Sequence, residues 1–334
     1  MTWTPDFLGE GFYQQVLPLY DDDYGPNRAV LVTYLPTAPA SFAVLAIHGW
    51  NDYFYHYEFA ESISQMGGHF YALDLRKYGR SHMDGQMWGY VEDLSDYDEE
   101  IHAALDIITT EHGEDMPIFL YGHSTGGLTA TLWADRHPGA IGGLILNSPW
   151  LEFQGHTAVR MAGQPVLETI NKLAPTTIIP QPDDGYYQRL LTGFMSEEER
   201  AQLSEQDAAD PFLREGGWNP DPRFRHMPTF PIRAGWLRAV TNGHERVAQG
   251  LDIRCPILVL TSAKTHYSDI WDDRMRHADT VLNVDQLWKR VPWLGDVVTL
   301  VKVPDAIHDV LLSRKSARDY SYKHIRTFVR SVLD

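Results

Sequence analysis

The chain has 334 residues, of which 43% are hydrophobic and 22% charged, a composition typical of a folded protein with a sizeable core. Its 28 basic and 45 acidic residues give a formal net charge of −17, which repels nucleic-acid phosphates and anionic membrane surfaces. The single cysteine, Cys255, excludes an intrachain disulfide and a zinc site built from thiolates.

The N-terminal segment and the apolar stretches bear on cellular location. MTWTPDFLGE lacks a basic region followed by an apolar run, so it does not predict a secretory signal. No uninterrupted apolar stretch approaches the roughly 18 residues that a membrane-spanning helix requires. We therefore expect a cytoplasmic protein without an integral membrane segment.

Short apolar runs bounded by turn residues recur along the chain and predict β-strands. They are AVLVTYLP (29–36), FAVLAIHG (42–49), HFYALDL (69–75), PIFLYG (117–122), GGLILNS (142–148), PILVLTS (256–262) and DVVTLVKV (296–303). Several are apolar at every position, which is typical of strands buried on both faces of a parallel sheet. Residues 12–35 are predicted to form an antiparallel hairpin at the start of the sheet, with DDDYGPN as its turn.

Helical patterns separate these strands. From Glu92 to His112 apolar residues recur every three or four positions, and Gly113 can end that helix. Further helices are predicted over 124–137 and 313–333. Strands that alternate with helices predict an α/β fold with a mostly parallel sheet.

The alternation is interrupted between residues 150 and 251, where prolines, the acidic run SEEER (196–200) and scattered aromatic residues occur. The segment is too long for a loop in a compact domain. We interpret it as a helical cap inserted after the sixth strand, with the core formed by 1–149 and 252–334. An apolar roof over the site could come from Met161, Phe194, Met195, Phe212, Trp218 and Trp236.

A serine stands between a predicted strand and a predicted helix in PIFLYGHSTGG (117–127). Gly-x-Ser-x-Gly at such a junction is typical of a nucleophile elbow, a turn so tight that the residues beside the serine must be small. Gly122 and Gly126 meet this need, and His123 and Thr125 flank the serine directly. We therefore predict that Ser124 is a nucleophile.

A serine hydroxyl needs a base, and on this kind of strand–turn–helix site the order along the chain is serine, acid, histidine. His308 follows the last predicted strand and is the predicted base. The acid should follow the strand 256–262, where spacing alone does not choose among Asp269, Asp272, Asp273, Asp279 and Asp285.

The loop after the third strand, in LAIHGWNDYF, should supply part of an oxyanion hole. Gly49 lets the backbone approach the site, and Trp50 would present its N–H together with that of Thr125. We interpret His48 as a scaffold residue of this loop.

Four stretches together resemble the α/β-hydrolase superfamily, and within it the monoacylglycerol lipase and lysophospholipase group, also described as serine aminopeptidase-like. They are HGWNDYFYHY (48–57), DLRKYGRS (74–81), GHSTGG (122–127) and LILNSPWL (144–151). The likeness covers 12–150 and 250–334 and is weak through the cap. It implies a mostly parallel, eight-stranded sheet flanked by helices, with a cap after strand six.

The resemblance also bears on the acid, which in this group commonly precedes two apolar residues at a characteristic distance from the histidine. Asp279 matches this pattern, 29 positions before His308, and Asp269 is the alternative. The chain departs from the group in two places. Asp279 comes 17 residues after Ser262, which implies a loop insertion, and Lys77 stands where the group has glycine.

The resemblance implies a serine esterase or lipase that cleaves small-molecule carboxylic esters, with an apolar acyl group and no cofactor or metal. A peptidase or amidase that releases N-terminal residues is an alternative, for which Glu168 or Asp184 could bind the free amine. A non-catalytic binding module is a second alternative, although such proteins usually lose a triad residue. Dehalogenases and epoxide hydrolases are disfavoured, because they carry aspartate where Ser124 stands. The oligomeric state is not indicated.

Overall fold

The computed structural model of the chain describes residues 2–36, 38–153, 170, 173–180, 185–192, 195–210 and 217–334. Among these residues nine strands form one sheet in the order β1-β2-β3-β5-β4-β6-β7-β8-β9. The strands are β1 (Thr4–Pro5), β2 (Phe12–Asp22), β3 (Gly25–Tyr34), β4 (Phe42–Ile47), β5 (Gly68–Asp74), β6 (Ile118–His123), β7 (Gly143–Asn147), β8 (Ile257–Ser262) and β9 (Val298–Val303). The pairs β1–β2, β2–β3 and β3–β5 are antiparallel, and all the remaining pairs of the sheet are parallel.

The ninth strand corrects the predicted count of eight. Thr4 and Pro5 pair with Gln14 and Tyr13 at the edge of the sheet. Two residues are too few to produce an alternating or apolar pattern, so the sequence did not reveal this strand. The predicted hairpin is confirmed, because β2 pairs with β3 and the register closes at Asp22 opposite Gly25.

The central strands are buried because both faces of the sheet are covered by helices. Along β4, Val44 belongs to one apolar cluster and Leu45 to the other, as expected when successive side chains point to opposite faces. Helices α2, α3 and α7 pack on one face, and α1 and α9 pack on the other. The helices described are α1 (Tyr57–Gln65), α2 (Asp98–His112), α3 (Thr125–Arg136), α4 (Tyr186–Leu191), α5 (Glu197–Ala201), α6 (Glu205–Ala208), α7 (Ala234–Ala248), α8 (Val284–Arg290) and α9 (Lys315–Leu333).

The predicted helices start later than their apolar patterns. The pattern that begins at Glu92 first forms a 3₁₀ turn, Leu94–Tyr97, which the Asp93 side chain caps by accepting the N–H of Ser95. Helix α2 then ends at Gly113, whose φ of 91° suits a glycine. No helix in the described residues is both long and apolar enough to cross a membrane.

Between β7 and β8 the described residues form α4, α5, α6 and α7 and contribute no strand to the sheet. Helix α7 lies against the core, since Val240 and Val247 share an apolar cluster with Leu128 and Leu132 of α3. Most of the stretch 161–174 of the predicted helical cap lies outside the described residues.

The turn after β5 accommodates a lysine in place of the glycine that the resemblance implies. Lys77 adopts a left-handed φ of 64° and is almost fully buried. Its ammonium group pairs with Asp22 of the hairpin and donates a hydrogen bond to the carbonyl oxygen of Tyr90 at 3.0 Å. These contacts offset the cost of the left-handed backbone and of burying the charge.

Candidate active site

Ser124 lies in the turn between β6 and α3, with φ 53° and ψ −115°, a conformation that a non-glycine residue rarely adopts. Its N–H donates to the carbonyl oxygen of Asn147 at 3.0 Å. A Cβ atom on Gly126 would lie 2.1 Å from the His48 carbonyl oxygen, and one on Gly122 would lie 2.5 Å from the Gly126 carbonyl oxygen. The turn therefore requires glycine at both positions, as its sequence pattern predicts.

His308 follows β9 and lies beside the serine. Its Nε2 is 3.0 Å from Ser124 Oγ, and its Nδ1 is 2.9 Å from Asp279 Oδ2. The other carboxylate oxygen of Asp279 accepts the N–H groups of Val281 and Leu282, both at 2.7 Å. His308 and Asp279 are buried. In this arrangement Nδ1 keeps its proton and donates a hydrogen bond to the Asp279 carboxylate. Nε2 is therefore unprotonated and can accept the hydroxyl proton of Ser124.

Among the aspartates after β8, the structure places Asp279 and not Asp269 beside His308. Asp279 N donates to Lys264 O, and His266 N donates to Asp279 O, both at 2.9 Å. This bridge returns the chain to the end of β8 after the excursion 266–278, which accounts for the long spacing from Ser262. Asp269 lies exposed on that excursion.

The loop after β4 passes close to the serine. A Cβ on Gly49 would lie only 3.1 Å from Ser124 Cβ, so the backbone can approach Ser124 because Gly49 has no side chain. The Trp50 indole packs on Trp236 and Phe230, with ring centroids 3.9 and 4.7 Å away. Thr125 is the first residue of α3, where backbone N–H groups are free of intrahelical partners.

Two histidines of the site are held as neutral hydrogen-bonding groups. Leu75 N donates to His48 Nε2 at 3.1 Å, so Nδ1 carries the proton and donates to the Gly49 carbonyl oxygen at 2.8 Å. Burial lowers the pKa of His48. Burial also lowers the pKa of His123 to about 4, and its Nδ1 lies 3.1 Å from the Asn147 carbonyl oxygen. At neutral pH both side chains are therefore uncharged and form hydrogen bonds with backbone groups of neighbouring loops.

The sequence interpretation missed Asn147 and Asp309, which join the serine turn to the histidine loop. Asn147 Nδ2 donates to Asp309 Oδ1 at 2.6 Å, while Val310 N donates to Asn147 Oδ1 at 3.2 Å. Both residues are fully buried. The only signal in the sequence is a polar residue at the end of an apolar strand and an acidic residue directly after His308.

A cavity of about 470 Å³ opens over Ser124 and His308, and the described part of its lining combines polar and apolar side chains. Its lining includes Trp50, Asn51, Asp52, Tyr186, Tyr187, Arg225, Thr229, His266, Tyr267, Ser268, Asp269, Met275, Thr280 and Val281. Within the described residues, Met195, Trp218 and Trp236 are buried but do not line this cavity. Met161, Phe194 and Phe212, together with Glu168 and Asp184, lie outside the described residues.

Two pairs of residues join the segment between β7 and β8 to the loop after β4. Asn51 Nδ2 donates to the His226 carbonyl oxygen at 2.9 Å, and His226 N donates to Asn51 Oδ1 at 3.0 Å. Arg225 Nη1 lies 2.7 Å from Asp52 Oδ1, and both side chains are buried.

The parallel sheet, the strained serine turn at its carboxyl edge and the histidine after the last strand define an α/β-hydrolase. The model of the Hydrolase_4 family, described as serine aminopeptidase, S33, matches residues 38–278, and the chain belongs to this family. The monoacylglycerol-lipase-like grouping implied by the sequence motifs is confirmed.

Known proteins similar to this chain carry ester-hydrolase names. The chain is 31% identical over 136 residues to "Phospholipase YtpA" of Bacillus subtilis, which is 40% of this chain and 49% of that protein. It is 28% identical over 142 residues to a "Putative monoglyceride lipase" of Schizosaccharomyces pombe, covering 40% of this chain and 35% of that protein. These alignments thus span half or less of each relative. A thermostable carboxyl esterase structure from Bacillus coagulans shares the fold, with a TM-score of 0.65, 18% identity and coverage of 96% and 99% of the two chains.

Proposed function

We propose that the protein is a serine hydrolase that cleaves carboxylic esters through an acyl-serine intermediate. The observation that carries this proposal is the hydrogen-bonded chain from Ser124 Oγ, at the floor of an open cavity, through the buried His308 to the buried Asp279. The names of the relatives, phospholipase and monoglyceride lipase, support the same class of reaction.

In the proposed mechanism Ser124 Oγ attacks the ester carbonyl carbon while His308 Nε2 takes the hydroxyl proton. Asp279 keeps the imidazole in the required tautomer and stabilises the imidazolium. The backbone N–H groups of Trp50 and Thr125 bind the oxyanion, and losing one such donor typically costs about 3 kcal/mol of transition-state stabilisation. His308 then gives the proton to the departing alcohol, and water hydrolyses the acyl-serine in the reverse sequence.

The substrate proposed is a small-molecule ester with an apolar acyl group of short to medium length or a monoacyl ester. The proposal also divides the protein into a core of residues 1–149 and 252–334 and a cap of residues 150–251. It places the protein in the cytoplasm. The cap would then form one wall of the substrate cavity, since Arg225 and Tyr187 line it.

The test is hydrolysis of p-nitrophenyl esters from acetate to palmitate beside aminoacyl-nitroanilides, with Ser124→Ala as the control. Ester turnover that peaks at one chain length and disappears in the variant would support the proposal and size the acyl pocket. Turnover of anilides alone would favour the peptidase alternative.

A fluorophosphonate probe separates enzyme from binding module. Labelling that requires Ser124 indicates an activated serine, even where the ester panel contains no good substrate. An absence of both labelling and turnover in a folded protein would favour the binding module.

A further inference from the structure

The excursion 266–278, which lengthens the chain between β8 and the triad acid, packs on the loop that carries the triad base. It ends in a 3₁₀ turn, Asp273–His277. Met275 in this turn is buried and belongs to the same apolar cluster as Ile307, the residue directly before His308. The extra residues after β8 therefore support the loop of the base from outside the triad.

The ring of His277 connects the acid and the base by a second route. His277 stands two residues before Asp279, and its Nδ1 lies 3.2 Å from Oδ1 of Asp305, three residues before His308. Its Nε2 lies 3.0 Å from Nη2 of Arg314, which directly precedes α9. The two loops are thus joined through this ring as well as through the hydrogen bond between Asp279 and His308.

The two partners of the ring fix its protonation state. A guanidinium group only donates, so Arg314 Nη2 donates its hydrogen bond to Nε2 of His277. The proton of the neutral ring therefore lies on Nδ1, which donates to the Asp305 carboxylate. A second proton would turn Nε2 from an acceptor into a donor, and the hydrogen bond from Arg314 would be lost. Only the neutral ring satisfies both partners.

The charged groups that face His277 in the described part of the chain are Asp305 after β9, Arg314 before α9 and Lys264 after β8. Partial burial, and then Arg314, lowers the pKa of His277 from its ordinary value of 6.5, while Asp305 opposes this shift. The side chain is 35% exposed, so it can exchange protons with the solvent. The ring is therefore neutral at pH 7.5 and gains a proton only in mild acid.

The contact to Arg314 is better protected from water than the contact to Asp305. The Asp305 side chain is 51% exposed, and water screens an ion pair in such a place so that it contributes little. Arg314 is only 15% exposed and also pairs with Asp207 of α6 at 2.8 Å. We therefore expect the hydrogen bond from Arg314 to provide most of the restraint on the His277 ring.

We propose that His277 is a positioning residue of the triad, whose neutral ring holds the loop of Asp279 against the loop of His308 and whose protonation releases that hold. The proposal rests on the proposed reaction at Ser124. It makes the excursion after β8 part of the catalytic apparatus, and it gives kcat a dependence on pH that the titration of His308 does not produce.

Three substitutions separate the two contacts of His277. His277→Leu removes both, His277→Gln keeps an amide oxygen near Nε2 as an acceptor for Arg314, and His277→Asn keeps an amide N–H near Nδ1 as a donor to Asp305. At pH 7.5 we expect the Leu and Asn variants to lower kcat for p-nitrophenyl butyrate about tenfold, because the base is misplaced. The Gln variant should stay within about twofold of the unmodified protein. KM should be unchanged, since His277 is not among the described residues that line the cavity.

The pH profile supplies a readout that a purely structural role would not move. The quantity measured is the ratio of kcat in the unmodified protein to kcat in His277→Leu, from which the titration of His308 cancels because both proteins share it. This ratio should stay constant between pH 8 and 7 and fall toward one between pH 6.5 and 5, as the His277 ring gains its second proton. His324→Leu is the matched control, since His324 is a half-buried histidine of α9 whose ring packs on Tyr320, and its ratio should stay near one throughout.

A kcat of His277→Leu within about twofold of the unmodified protein at pH 7.5 would overturn the proposal, whatever its urea midpoint, since the role of His277 would then be structural. A ratio that remains unchanged down to pH 5 would also overturn it, as would a larger loss of kcat in His277→Gln than in His277→Asn.

The rate constant of fluorophosphonate labelling, measured in the same preparations, separates this proposal from ester hydrolysis. Labelling that follows the expected order of the variants without ester turnover would support the positioning role while the proposed reaction fails. If the unmodified protein shows neither labelling nor turnover, both proposals fail together.

Discussion

The side-chain amide of Asn147 donates a 2.6 Å hydrogen bond to the carboxylate of Asp309, and this contact joins the serine turn to the histidine loop. The carbonyl oxygen of Asn147 accepts the N–H of Ser124, while its side-chain oxygen accepts the N–H of Val310. One residue at the end of β7 thus contacts Ser124 through its backbone and the loop that carries His308 through its side chain.

We expect Asn147→Ala to lower kcat roughly ten- to a hundredfold, because a small misplacement of reacting groups has effects of this size. KM should change little, since Asn147 does not line the cavity. Steady-state kinetics on p-nitrophenyl butyrate measure the effect. Asn27→Ala is the control: Asn27 is also buried and bonds to the hairpin backbone, so its loss should reduce stability but leave kcat unchanged. A purely structural role for Asn147 would give the two variants the same kinetics.

The identity of the acid can be tested by paired substitutions. Asp279→Asn should reduce kcat by about 10⁴, because an amide at this position favours the wrong imidazole tautomer. Asp269→Asn should remain within about threefold of the unmodified protein, since Asp269 is exposed and makes no hydrogen bond to His308, although it lines the cavity. The two variants are compared by single-turnover acylation, monitored through the release of p-nitrophenol. A large loss in the Asp269 variant with activity retained in the Asp279 variant would reverse the assignment.

Gly126→Ala should abolish labelling of Ser124 by a fluorophosphonate and lower the stability by more than about 2 kcal/mol, because the new methyl group meets backbone that cannot move aside. The obstructing atoms are the carbonyl oxygens of His48 and Ile47, 2.1 and 2.8 Å from the added carbon. Gly142→Ala is the matched control, since its added carbon would make only ordinary contacts, the nearest at 3.7 Å. Urea unfolding and probe labelling report the two effects separately, and normal labelling of Gly126→Ala would contradict the geometry.

Stability should fall between pH 7.5 and pH 5 in part through His69. Burial, and secondarily the neighbouring His112, lowers the pKa of His69 from its ordinary value of 6.5 to about 4. Between these values the unfolded chain binds a proton that the folded protein does not, so the free energy of unfolding decreases as the pH falls through this window. His69→Gln should show a smaller decrease in urea midpoint between pH 7.5 and 5. An equal decrease of the urea midpoint in the two proteins between pH 7.5 and 5 would exclude a contribution from His69. Between pH 7.5 and 8.5 the midpoints of the two proteins should change equally.

The local pattern of the sequence was sufficient for much of the fold. A strand such as Phe42–Ile47 is apolar throughout because both of its faces are covered, and the glycines around Ser124 mark a turn that no larger residue fits. The two-residue strand β1 was not predicted, since pairing at the sheet edge and not its own composition creates it.

The parts of the site that sequence reasoning could not find depend on contacts between distant segments. Spacing after β8 left five aspartates open and only the resemblance favoured Asp279; the bridge from Thr265 to Asp279, which closes the excursion 266–278, leaves no mark in that spacing. Asn147 and Asp309 likewise meet only because β7 ends beside the loop that follows β9. The place of Arg225 in the cavity lining was missed because no pattern along the chain shows which residues between β7 and β8 face Ser124.

Asn51 and His226 join the segment between β7 and β8 to the loop after β4 by two reciprocal hydrogen bonds, and Arg225 stands beside them in the chain. The cavity wall at Arg225 and the loop proposed to bind the oxyanion are therefore held together. A substitution among residues 224–228 that reshapes the cavity is expected to shift residues 49–52 as well, so substrate preference and rate constant should change in the same variant.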